Sequence, residues 1–205
     1  MSGACPVQIA RAWIEDYLTR EHPSMPRPGA VCPFVRPALA ADAIEVRAVP
    51  VVGTDPVAEV LEVARQGLAD FAASTTTSRA DSLRALVLVI PSATGRVIDD
   101  AHALVKSEAV DAGLMIGQFH EMCEEASARN EGFPVNRSPV PLLAIRRMTV
   151  HDILFLHGDD TWFRAYAERF GHLYECRRRI DPAFRELYAA AIARRHPVVP
   201  LGAGS

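Results

Sequence analysis

His120 and Arg137 bracket the stretch of this chain with the most chemical potential. An apolar run, LMIGQF, ends at His120, a connection rich in acidic and polar residues follows, and a second apolar run starts just after Arg137-Ser138-Pro139. A neutral imidazole ligates iron, zinc or copper and serves as a general base near neutral pH. Functional side chains are often presented where a rigid strand gives way to a loop, although a lone histidine at a strand end also serves simple packing. Cys123 lies three residues on, so His120-x-x-Cys123 offers two donors to one metal, with no second pair to close a four-ligand set.

Arg137, Arg146 and Arg147 come next. A buried arginine needs an anion, either a carboxylate of the protein (Asp152, Glu121, Glu124 or Glu125) or one on a ligand. Arg146 and Arg147 point to opposite faces of their strand, so at most one shares a buried side. His151-Asp152 and His157-Gly158-Asp159-Asp160 gather imidazoles and carboxylates within ten residues, but helix capping accounts for the aspartates. Arg177-Arg178-Arg179 suits a helix C-terminus and is too short for a nucleic-acid footprint.

Several chemistries are excluded by pattern. There is no G-x-x-x-x-G-K-[ST] and no G-x-G-x-x-G after a strand, no G-x-S-x-G elbow, and no H-E-x-x-H, because position 124 is Glu. Cys5, Cys32, Cys123 and Cys176 form no C-x-x-C pair, which removes the usual zinc-finger and covalent-haem spacings.

The elements that must position these groups follow from periodicity. VQIARAWIEDYLTRE (7–21) predicts an amphipathic helix ended by His22-Pro23, and the proline-rich 32–37 predicts a loop packed by Phe34 and Val35. IEVRAVPVV (44–52) predicts a strand ending or edged at Pro50. Thr54 or Asp55 caps a helix to about Ala73, and LRALVLVIP (83–91) predicts a strand buried on both faces. A helix over 96–111, with Val97, Ala101, Leu104 and Val105 inward, leads to strands 114–119 and 140–148 joined by a long loop. Thr149 or Asp152 caps a short turn through Leu156. Asp159 or Asp160 starts a helix with Trp162, Tyr166 and Phe170 inward, and Asp181-Pro182 opens a last helix through Arg195. The fold class is α/β (α+β): a single mixed sheet of about four strands flanked by helices, with helical N- and C-terminal segments. One domain over 1–205 is expected, with a core at about 30–156 and a C-terminal helical extension at about 157–196.

The chain of 205 residues is 49% hydrophobic and 23% charged, with a net charge of -3. These values suit a globular domain with a full core and give no electrostatic reason to bind nucleic acid. Of 22 Lys+Arg one is lysine, Lys106; arginine is the better bidentate partner for carboxylates. No basic head and apolar core mark a signal peptide, and no apolar stretch reaches the roughly 20 residues of a membrane helix. A cytoplasmic protein with reduced thiols is expected. Its expected partners are a small-molecule substrate and, at most, a second copy in a homodimer, with neither nucleic acid nor membrane.

Three motifs, CPFVRPAL (32–39), GLMIGQFH (113–120) and RSPVPLLAIR (137–146), resemble a bacterial family described as a domain of unknown function, common in actinomycetes near natural-product genes. The resemblance covers roughly residues 30–156. Members often continue the second motif as Phe-His-Pro and the third as Arg-His-Met; Glu121 and Arg147 stand at those places here, so His120 is the residue that carries over. More distantly, motif order is similar to the YqcI/YcgG-type proteins, which include haem-dependent N-oxygenases. They share an early Cys-Pro-Phe-like motif and a late segment echoed by Phe133-Pro134-Val135-Asn136-Arg137-Ser138-Pro139.

That second resemblance implies a haem b protein. His120, with His151 as second choice, would ligate the iron. Arg137 and Arg146 would pair with the propionates or a substrate carboxylate, and Phe119, Phe133 and Met115 would line the macrocycle's slot. The implied activity is a haem-dependent oxidoreductase, an oxygenase acting on a nitrogen of a small amino-acid-like substrate in specialised metabolism. The residues alone leave two alternatives open. One is a non-catalytic binding or assembly protein holding a carboxylated metabolite or a carrier partner. The other is a cofactor-independent enzyme with His120 as general base.

Overall fold

A computed structural model describes residues 5–25, 28–74, 79–128, 130–176 and 180–195. The chain divides into two compact units at Arg147–Met148, a boundary earlier than the extension expected from about residue 157. Among the described residues no helix is long and apolar enough to cross a membrane. Arg177-Arg178-Arg179 lies outside the described residues.

The first unit is built on a mixed sheet in the order β1-β2-β6-β3, of β1 (Ile44–Ala48), β2 (Ala85–Val89), β3 (Leu114–Phe119) and β6 (Leu142–Arg147). β1 runs parallel to β2, and β6 runs antiparallel to both β2 and β3. The central position of β2 explains its unbroken apolar run, since both faces are covered. Helix α3 (Pro56–Ala73) begins with Pro56 in its first turn and with Asp55 accepting a bond from the Ala58 N–H at 3.1 Å. That cap satisfies one of the four donors every helix start leaves unpaired. Helix α4 (Gly95–Asp111) is capped by Thr94, whose Oγ1 accepts from the Val97 N–H at 3.4 Å.

Val60, Ala64, Leu68 and Phe71 of α3 join Ile98, Ala101 and Val105 of α4 on one face of the sheet, over Leu86, Leu88, Ile116 and Ile145. Gly67 allows this close approach: a Cβ there would sit 2.7 Å from Leu88 Cδ1. The inward face of α4 is Ile98, Ala101, Val105 and Ala109, and Leu104, expected inward, is 58% exposed. Spacings of three and four from Ile98 define the stripe, and Leu104 falls off it. The opposite face is covered by helix α1 (Pro6–Trp13) and a π-helical turn over Ile14–Leu18, which pack Ala10, Ile14 and Leu18 on Val87, Val89 and Leu142.

Two expectations are corrected here. Residues 32–37 were expected to be loop, but Val35–Ala40 form a short helix, α2. Pro37 is its third residue, where the missing N–H is one the helix would leave unpaired anyway. The long connection between β3 and β6 holds a two-stranded hairpin, β4 (Ala126–Ser127) with β5 (Asn130–Pro134).

The second unit is helical. Thr149 and Asp152 form a reciprocal capping box ahead of α5 (Ile153–Leu156). Asp159 accepts from the Thr161 and Trp162 N–H groups, both at 2.9 Å, to start α6 (Asp160–Glu175). Asp181 accepts from Ala183 N–H at the start of α7 (Pro182–Arg195). Tyr166 and Phe163 fill the α6 core, while Trp162 and Phe170, expected inward, are half-buried.

Candidate functional site

His120 terminates β3, and strand alternation decides where it points. Leu114 and Ile116 lie on the α3/α4 face and Phe119 on the α1 face, so the side chain of His120 follows the even positions toward α4. There its Nε2 meets both carboxylate oxygens of Asp99, at 3.0 and 3.1 Å. A carboxylate only accepts, so Nε2 carries the proton in this bond. The ring is 5% exposed. Its other nitrogen, Nδ1, is buried without a hydrogen-bond partner among the described residues.

The ring fits because residue 95, the first of α4, has no side chain. A Cβ at Gly95 would lie 2.4 Å from Nδ1 and 2.9 Å from Cγ of His120. The backbone after His120 is equally constrained. Its carbonyl accepts from the Cys123 N–H at 3.1 Å and from the Ser138 N–H at 3.2 Å, and Arg137 forms an isolated parallel bridge with His120. Those bonds bring Cys123, 2% exposed, to the same place. One donor atom each from Asp99, His120 and Cys123 lie within 4.8 Å of one another. Burial pushes the Cys123 thiol above its usual range; a hydrogen bond from the Glu125 backbone opposes this, the Asp99 and Glu125 charges add to it, and the Arg137 charge opposes it. A thiol so buried and so held in the protonated form is a poor resting nucleophile and a good ligand once a cation displaces its proton.

Edge strand β3 exposes carbonyls on its outer side, and side chains cover them. Ile116 C=O accepts from His102 Nε2 at 3.1 Å and Lys106 Nζ at 3.0 Å. Gln118 C=O accepts from Asn136 Nδ2 at 2.9 Å. Desolvation, reinforced by the Lys106 charge, lowers the pKa of His102 to about 4.

The residues assigned to a haem slot do not converge. Phe119 meets Trp13 edge-on at 5.6 Å on the α1 face, and Met115 shares that side of β3 by alternation. Phe133 stacks on His22 at 4.4 Å. Arg146 lies over the Phe34 ring at 5.1 Å and donates to the Arg147 carbonyl. The sheet therefore stands between His120 and Phe119, Met115 and Arg146, and no macrocycle at His120 reaches them. With Phe119, Met115 and Arg146 on the far face of the sheet, these residues do not fit a haem. His151 belongs to the second unit, edge-on to Phe184 at 5.2 Å. Arg137 does stay beside His120: its Nε donates to the Cys123 carbonyl at 3.5 Å.

Asp99 and Gly95 were missed by sequence reasoning. Asp99-Asp100 reads as ordinary acidic charge on a helix, and nothing local couples it to a histidine 21 positions on. The signal that was available is alternation: adjacent strand residues cannot share a face, so His120 and Phe119 could not line one slot.

A family model described as a domain of unknown function (DUF6875) matches residues 7–181. No curated protein and no solved structure matches the chain.

Proposed function

The chain belongs to the DUF6875 family of domains of unknown function, and from the cluster at the end of β3 we propose that it is a mononuclear, zinc-type metalloenzyme acting on a small molecule. The observation that supports this is the buried Nδ1 of His120, with no polar partner among the described residues, in a ring clustered with an oxygen and a sulfur donor. Leaving such an atom bare costs about 1–3 kcal/mol, a cost offset when a cation takes up the cluster. Oxygen, nitrogen and thiolate sulfur together make a donor set of the borderline-soft kind that zinc accepts. Three protein donors leave a position for water or substrate, and Asp99, with its side chain 47% exposed, keeps the cluster in contact with solvent. A bound ion of this kind supplies Lewis acidity and acidifies its water.

The protein's own residues have separate tasks. Gly95 seats the imidazole, Asp99 orients it and supplies negative charge, and Cys123 offers a desolvated sulfur. The His120–Ser138 and His120–Cys123 backbone bonds keep these donors in register.

The test is metal content and spectrum. Purified protein should take up about one equivalent of zinc, and cobalt substitution should give a thiolate-to-cobalt charge-transfer band that Cys123→Ser removes. Protein that takes up neither metal overturns the reading. A Soret band after purification with haem supplied returns the assignment to a haem-dependent oxygenase. Activity that survives complete chelation supports a second reading, which the bidentate Asp99–Nε2 contact favours: His120, held by Asp99, acting as a metal-free general base.

A further inference from the structure

We propose that the substrate of this site carries a single carboxylate, and that Arg137 is the residue that recognises it. This rests on the metal reading above and names the substrate class for the same site.

Several arginines of its unit are neutralised by protein carboxylates, while among the described residues Arg36, which donates to the Thr19 carbonyl at 2.8 Å, and Arg137 are not. Arg47 is paired with Glu45 and Asp70, Arg65 with Glu108, and Arg147 with Asp81. Exposed Arg137 has no carboxylate partner among the described residues, and its polar contact is the long bond from Nε to the Cys123 carbonyl. That bond uses one of five N–H donors and ties the guanidinium to the turn that carries the metal donors. Arg137 also bridges His120 through the backbone, so its place relative to the imidazole is set by the fold. The remaining fork matches the two oxygens of a carboxylate.

Charge balance selects among anions. A divalent ion bound by the Asp99 carboxylate and the Cys123 thiolate leaves no net charge on the cluster. Arg137 then contributes one positive charge, which a monoanionic carboxylate neutralises. A phosphate dianion would leave an excess negative charge beside Asp99, an unfavourable placement at a partly desolvated site.

The experiment titrates zinc-loaded protein, its metal content measured first, with acetate and with inorganic phosphate by calorimetry, alongside Arg137→Gln and Arg137→Lys. Acetate should bind more tightly than phosphate. Arg137→Gln should weaken acetate by about tenfold or more, the loss expected for a charge-assisted bidentate pair, while keeping its zinc. Arg137→Lys should recover part of that loss. Zinc-loaded Arg137→Gln that binds acetate as the wild type does, or a wild type that prefers phosphate, overturns the carboxylate proposal and leaves the metal reading standing. A wild type that takes up no zinc overturns the metal reading, and the charge balance goes with it.

Discussion

The His120 imidazole rests on the bare backbone of Gly95, closely enough that a methyl group there would fall 2.4 Å from Nδ1. Two elements distant in sequence, the start of α4 and the end of β3, are thereby held in a contact that only glycine permits. Gly95→Ala should displace the ring from Asp99 and lower zinc affinity by about tenfold or more, as losses of supporting contacts around ligands do. Alanine suits a helix start, so the far-UV spectrum should be unchanged. Unaltered zinc binding in this variant would show that the contact does not position the ligand.

Asp99→Asn tests the other side of the ring. It keeps the shape of the side chain but removes the negative charge facing Nε2. Zinc affinity should fall while thermal stability changes by about 1 kcal/mol or less, because Asp99 is half exposed. A large loss of stability with zinc affinity intact would assign Asp99 a purely structural role.

His102 should make stability depend on pH. Its folded pKa is lowered to about 4 from an ordinary 6.5, so below 6.5 the unfolded chain takes a proton that the folded one refuses. The stability contributed by this site is therefore whole above pH 6.5, falls as pH drops toward 4, and levels off below. The full difference is on the order of 3 kcal/mol. Lys106 and Asp99 act on His102 with opposite signs, so the comparison should be made in a background that keeps both. Urea midpoints of His102→Gln should show a shallower slope between pH 6.5 and 4 than the wild type; parallel curves would refute the assignment.

Asp81, with a side chain 10% exposed, is shared by two arginines: Arg147 Nε lies 2.6 Å from its carboxylate and Arg84 Nη1 3.4 Å, with those side chains 29% and 23% exposed. Asp81→Ala removes the carboxylate that Arg84 and Arg147 share and should cost about 3 kcal/mol in denaturant unfolding. A change below about 0.5 kcal/mol would mean that water replaces the partner freely.

Tyr166 is fully buried and its hydroxyl bonds the Val150 carbonyl at 2.8 Å and the Tyr174 hydroxyl at 2.6 Å. Burial, aided by Tyr174, holds its ionisation far above the usual phenol range. Tyr166→Phe keeps the ring and leaves two groups short of a partner, so a loss of about 1–3 kcal/mol is expected. A neutral substitution would indicate that both regain partners by local shifts.

The family resemblance suggested by the three motifs stands at the level of a domain of unknown function, and the four-stranded sheet between helices was legible in the periodicity. β2 announced itself by an apolar run without breaks, and α3, α6 and α7 by an Asp at or just before each start. Leu104 shows the limit of that reading: it is apolar and lies within the helix, yet it falls off the buried stripe and is exposed. Pro37 shows another, since proline ends a helix in its interior but is harmless in its first turn.

His120, Cys123 and Arg137 could be picked from the sequence because they are neighbours along the chain, on or beside one strand end and its loop. Their local order, the strand alternation and the helix caps are properties of short segments, governed by backbone geometry and side-chain type within a few residues. Asp99 and Gly95 became part of the site only when α4 packed across the sheet, and Met115, Phe119 and Arg146 were removed from it by the same sheet. Which distant groups meet is decided by close packing of whole elements, where a missing methyl or a two-residue alternation selects the partner.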